Sequence, residues 1–67
     1  MKKNQISIAE IRIRNNKMTQ KEFGEILGVS TQTINAWEKN PGNIKAKYLI
    51  KIYEHFGVTA GELLGTD

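Results

Sequence analysis

The sequence predicts an all-α fold, a compact domain of five helices. Glycine and the single proline stand between segments of helical periodicity, at Gly28, at Pro41 and Gly42, and at Gly57. Three stretches open with the residue pattern of a capped helix. No run shows sustained period-two alternation with β-branched enrichment, apart from a short ambiguous "ISIAEIRI" near the start.

That first segment reads as helix 1, over about 6–16. Ile8, Ile11 and Arg12 follow helical spacing, and Glu10 and Arg14 form a favourable pair one turn apart. An N-terminal strand is the alternative. In "MTQKEF" an apolar Met18 precedes Thr19, Glu22 follows three residues later and Phe23 comes next, a capping box with a hydrophobic staple that opens helix 2 at 19–27. "VSTQTI" keeps the staple pair Val29 and Ile34 and the cap Ser30 but has Thr33 where the acid would be; it opens helix 3 at 30–39. "IKAKYLIKIYEHFG" places Ile44, Tyr48, Leu49, Ile52 and Phe56 on one face and ends at Gly57, which gives helix 4 at 44–56. "VTAGEL" repeats the box with Val58, Thr59, Glu62 and Leu63 and opens helix 5 at 59–64. Residues 1–67 form one domain, with 1–5 expected as a flexible N-terminal arm.

A chain of 67 residues buries only about 60% of the surface its unfolded form exposes, so a large catalytic cleft is not expected. Without cysteine and with His55 as its one histidine, the chain has no disulfide framework, no zinc finger and no Cys/His set for a nucleophile-base pair. Glu22 and Glu25 are better explained by capping and solubility than by catalysis, so no enzyme activity and no cofactor are expected. The start lacks the continuous apolar core of a signal peptide, and nothing approaches the roughly 20 apolar residues of a membrane span. The reading is a soluble, cytoplasmic protein. Ten Lys and Arg against seven Asp and Glu give a net charge of +3 and a pI near 9.4, which suits an anionic partner without demanding one.

Only "GVS" joins helices 2 and 3, and a short glycine-containing turn between two such helices is the helix-turn-helix signature. Phe23, Ile26 and Leu27 with Val29, Ile34 and Trp37 are expected in the core, and Gly24 lets the two helix backbones approach. Thr31, Gln32, Asn35 and Ala36 must then lie outside. A face that needs only solubility would carry Lys and Glu; this one carries hydroxyls and amides. Amides match the N6 and N7 edge of adenine, and threonine offers a hydroxyl and a methyl that can touch thymine.

The stretch "MTQKEFGEILGVSTQTINAWEKN" resembles the Cro/cI-type (lambda-repressor-like, XRE) helix-turn-helix family, with Gln20, Phe23, Gly24, Leu27, Gly28, Val29, Ser30, Ile34, Trp37 and Glu38 at matching positions. "FGVTAGELLG" looks like the family's closing helix. The resemblance implies that helix 3 enters the major groove of double-stranded DNA, with Thr31, Gln32, Asn35 and Ala36 near base edges. It implies that Gln20 binds a phosphate, and that Glu38 pairs with a helix 1 arginine, Arg12 as the best match and Arg14 as the alternative. Lys21, Thr33, Lys39, Asn43, Lys45 and Lys47 complete the expected phosphate contacts, and Lys17 could reach the backbone too. The chain departs from the family at Gly24, commonly Ala, and at Asn40, often Gly, so the loop from Lys39 to Asn43 is open in conformation.

The function expected is sequence-specific DNA binding by a bacterial or phage transcriptional repressor. The rival is a protein-interaction module on the same fold, such as an antirepressor or antitoxin-like partner. With the chain ending at Asp67, any homodimer is expected to form through the C-terminal helices or on DNA. Tyr53, off the apolar face of helix 4, is either an exposed tyrosine or part of that contact.

Overall fold

The computed structural model describes residues 5–65. Its helices are α1 (Ile8–Arg14), α2 (Gln20–Leu27), α3 (Thr31–Lys39), α4 (Ala46–Phe56) and α5 (Ala60–Leu64), with a 3-10 turn at Pro41–Asn43 between α3 and α4. Among the described residues there is no strand, so the alternative for "ISIAEIRI" falls. Ser7 caps α1 by accepting from the Glu10 amide, and Ile8 and Ile11 bury on one side of it. Residues 1–4 of the expected arm lie outside the described residues. Gln5 is tied down: its Nε2 donates to the Leu63 carbonyl at 2.8 Å, and Ile6 N–H donates to Glu62 O at 2.9 Å.

Capping chemistry sets the helix starts. Thr19 and Thr59 each form a complete capping box, with Glu22 and Glu62 returning to the cap backbone. Ser30 accepts from the Thr33 amide, but no acid answers it. Left-handed glycines close α2, α4 and α5 at Gly28, Gly57 and Gly65. The core joins all five helices through Ile8, Ile11, Phe23, Leu27, Ile34, Trp37, Ile52 and Leu63. Phe23 stacks on Phe56 with centroids 5.1 Å apart, and Trp37 meets Tyr48 at 5.2 Å. These two aromatic pairs fix α4 against α2 and α3.

The structure corrects three expectations. Helix 1 ends at Arg14, not near residue 16, because Asn16 and Lys17 both take positive φ, 67° and 55°, and turn the chain into α2. Helix 4 begins at Ala46 rather than residue 44. Pro41 suits the first position of the 3-10 turn, the Asn40 side chain accepts from Gly42 N–H, and Ile44 and Lys45 are extended. Ile26, expected in the core, is 39% exposed: α2 buries Phe23, Gly24 and Leu27, and Ile26 falls beside that stripe. Among the described residues, no helix is long and apolar enough to cross a membrane.

A partly buried ion pair ties α1 to α3. Arg12 Nε donates to Glu38 Oε2 at 2.8 Å, and Arg12 Nη1 donates to the Met18 carbonyl at 2.9 Å. Arg14 pairs instead with Glu10 at 2.7 Å on the exposed side of α1, a contact of about 0.3–0.5 kcal/mol at most. One arginine therefore holds both α3 and the loop that enters α2.

Two measurements check this account. Arg12→Met should destabilise the fold by about 1–3 kcal/mol in urea unfolding followed by circular dichroism, because it strands a partly buried carboxylate and a carbonyl. Gly28, at φ +79° with open space around its α-carbon, meets no clash on gaining a methyl. Gly28→Ala should therefore cost only the left-handed penalty, about 1–2 kcal/mol, and Gly28→Asn less.

Candidate nucleic-acid interface

With Ile34 and Trp37 buried, helical geometry turns the opposite side of α3 to solvent, and Thr31, Gln32, Asn35, Ala36 and Lys39 are all exposed there. No acid lies in the first turn of α3, and its last turn carries Lys39. Thr33 is different. It is half-buried, and its Oγ1 lies 3.1 Å from Ser30 Oγ.

Thr33 joins Asn43, Lys45 and Lys47 around an open cleft of about 270 Å³ between α3 and the start of α4, floored by Val29, Trp37 and Tyr48. Four of the seven residues expected at phosphates thus meet in one place. Lys47 Nζ sits 5.0 Å from the Tyr48 ring centroid, within cation-π range. Asn43 reaches the cleft because the 3-10 turn folds it back, with its N–H on the Asn40 carbonyl at 3.0 Å.

At the other end of α3 stands the start of α2. The Thr19 hydroxyl takes the Glu22 amide, which leaves the first-turn N–H groups of Gln20 and Lys21 without acceptors inside the helix. Lys21 is exposed; Gln20 is half-buried and turned toward α3. Its Nε2 donates to Glu38 Oε1 at 3.0 Å and lies 3.4 Å from Asn35 Oδ1. Glu38, held by Arg12 on its other oxygen, faces Gln20 rather than open water.

The structure thus assembles one surface: the outward side of α3 in the middle, the start of α2 at one end, and the α3–α4 cleft at the other. Lys39 closes α3, apart from the cleft. Several contacts around this surface have no signal in the sequence. Gln20 and Glu38 were each visible in the motif, but their contact was not, because it spans 18 residues between two helices. Tyr48 was legible only as an apolar-face residue, and Lys51, whose Nζ reaches the Leu27 carbonyl at 3.5 Å, carried no signal beyond its charge. His55 is exposed beside Phe56, and among the described residues no group of His, Cys, Asp and Glu could hold a metal ion.

No curated protein and no solved structure matches this chain at a significant level. A family description of the helix-turn-helix does match, over residues 8–63, from the first residue of α1 to the penultimate residue of α5. With two helices joined by Gly28-Val29-Ser30, an uncharged polar face on the second and basic residues beside it, the chain belongs to the Cro/cI-type helix-turn-helix (XRE) family of DNA-binding regulators.

Proposed function

We propose that this protein is a sequence-specific transcriptional repressor of bacterial or phage type that lays α3 in the major groove of its operator. One observation carries the reading: the exposed side of a helix whose inner side is packed carries, ahead of Lys39 at its end, Thr31, Gln32, Asn35 and Ala36, groups suited to base edges rather than to solubility. In this reading these four read bases. Gln20, Lys21, Thr33, Lys39, Asn43, Lys45 and Lys47 supply the phosphate contacts that fix register.

Fluorescence anisotropy on random duplex DNA across a salt series, followed by selection of bound sequences, tests it. Affinity should fall as salt rises, and the slope should shrink by about 0.9 for each phosphate contact removed, as in Lys45→Ala. Gln32→Ala should cost about 1–3 kcal/mol and relax one operator position; an even loss over all sequences would remove its base-reading role. A folded protein that binds no DNA at low salt would favour the protein-interaction reading.

The repressor acts as a homodimer in this proposal, with two α3 helices about 34 Å apart on a two-fold operator. Support comes from α4, which leaves Ile50 58% and Tyr53 56% exposed beside an apolar groove lined by Leu49, Thr59 and Ala60. Apolar side chains gathered in this way mark an association surface rather than scattered surface residues. Ile50→Asp with Tyr53→Asp should leave the fold intact but convert a sedimenting dimer to monomer, or abolish cooperative binding to a palindrome. Unchanged sedimentation and unchanged cooperativity would remove this face from the assembly.

A further inference from the structure

A chain of polar contacts leads from the interior to the outward side of α3, and its direction is set at the inner end. The Arg12 guanidinium only donates and the Glu38 carboxylate only accepts; they meet at 2.8 Å. Glu38's second oxygen therefore demands a donor from Gln20, and the group 3.0 Å away is the Gln20 amide nitrogen. That NH2 has two hydrogens. With one on Glu38, the other is directed at Asn35, whose Oδ1 stands 3.4 Å away. The last link is long, so it orients the asparagine without fastening it.

Resting on the reading that α3 faces bases, we infer that Gln20 is a specificity-determining positioning residue. Anchored by Glu38, it turns Asn35 so that Oδ1 faces inward and the Nδ2 donor faces the groove. An outward donor seeks an acceptor at the base edge: guanine O6 or N7, thymine O4, or, less well because the N6 donor stands beside it, adenine N7. It disfavours cytosine, which presents only its N4 donor there. While its Oδ1 is turned inward toward Gln20, Asn35 does not present both arms of its amide to adenine as a freely rotating side chain would. One hydrogen of the Gln20 NH2 is held by Glu38 and the other is turned toward Asn35. The backbone N–H groups of Gln20 and Lys21 remain open to a phosphate at the start of α2.

Selection from randomised duplexes tests this with the wild type, Asn35→Ala, Gln20→Met and Gln20→Glu. Asn35→Ala identifies its position as the one whose preference disappears. At that position the wild type should favour guanine or thymine, and Gln20→Met should flatten the preference by about three- to tenfold, the worth of one oriented hydrogen bond. Gln20→Glu matches glutamine in shape but sets a second carboxylate against Glu38, so it should be repelled from that anchor, release Asn35 and flatten the same preference as Gln20→Met does. All other positions should keep their ranking. Gln20 variants that lose affinity evenly at every position would overturn the inference.

If the wild type enriches no motif, base reading itself fails, and the two failures are separated in the free protein. There, Glu38→Gln should move the side-chain amide NMR resonances of both Gln20 and Asn35 if the contact chain exists. A change at neither would refute the chain whatever the DNA results.

Discussion

Everything on the proposed DNA surface depends on how closely α2 and α3 cross. At Gly24 the separation has no slack: a β-carbon there would lie 2.6 Å from the Val29 carbonyl oxygen and 3.4 Å from Ile34. The Val29 and Gly28 N–H groups both return to the Gly24 carbonyl, at 2.9 and 2.7 Å. Gly28 alone of the turn residues takes the left-handed conformation needed to start α3 after so short a link. The angle between the two helices is thus set by backbone against backbone, and side chains on the outer face of α3 are relieved of any packing duty. That freedom lets an uncharged polar set occupy a face which a stability argument alone would fill with Lys and Glu.

Fixing the angle does not fix α3 along its length, and the Arg12–Glu38 pair takes that role. Its side chains are only 19% and 17% exposed, so the pair is shielded enough to hold geometry, while Gln20 takes the carboxylate oxygen that Arg12 leaves. A carboxylate with one partner would face a half-satisfied, partly buried position; with two it is fully engaged. The same residue that braces α3 against α1 can therefore transmit a donor direction to its outer side.

Much of this was legible in the sequence because it is local. Thr19 with Glu22 and Thr59 with Glu62 are three residues apart, so their boxes fix two helix starts without tertiary help. Helical periodicity placed Ile34 and Trp37 inside, and the exposed positions of α3 follow. What escaped is non-local or conformational. Ile26 has the right residue type for burial but no partner surface beyond the stripe of Phe23 and Leu27. Asn16 is of a residue type that tolerates the left-handed region, but a second left-handed residue at Lys17 is rare for a side chain other than glycine, and nothing in "RNNKM" announces it. In the candidate site, residue types were readable, but the contact of Gln20 with Glu38 and the gathering of Thr33, Asn43, Lys45 and Lys47 depend on how α2, α3 and α4 meet.

The helix starts also differ in how well they are stabilised, and the difference follows the surface. α2 and α5 have complete capping boxes, and α1 has Ser7 with Glu10 in its first turn. α4 has none of this: Lys45 stands at its cap without a side-chain hydrogen bond, Lys47 lies in its first turn, and no acid is present there. A helix dipole disfavours cations at that end, and a missing cap costs about 1 kcal/mol, so the isolated domain gives up stability at this one start. Tyr48 recovers part of it, by packing on Trp37 and by offering its ring to Lys47. A phosphate in the adjoining cleft would reverse the sign of the local electrostatics, since the lysines and the free helix amides would then face an anion. In the proposed DNA-bound state, the uncapped start of α4 would be the place where the requirements of the isolated fold and of the complex part company.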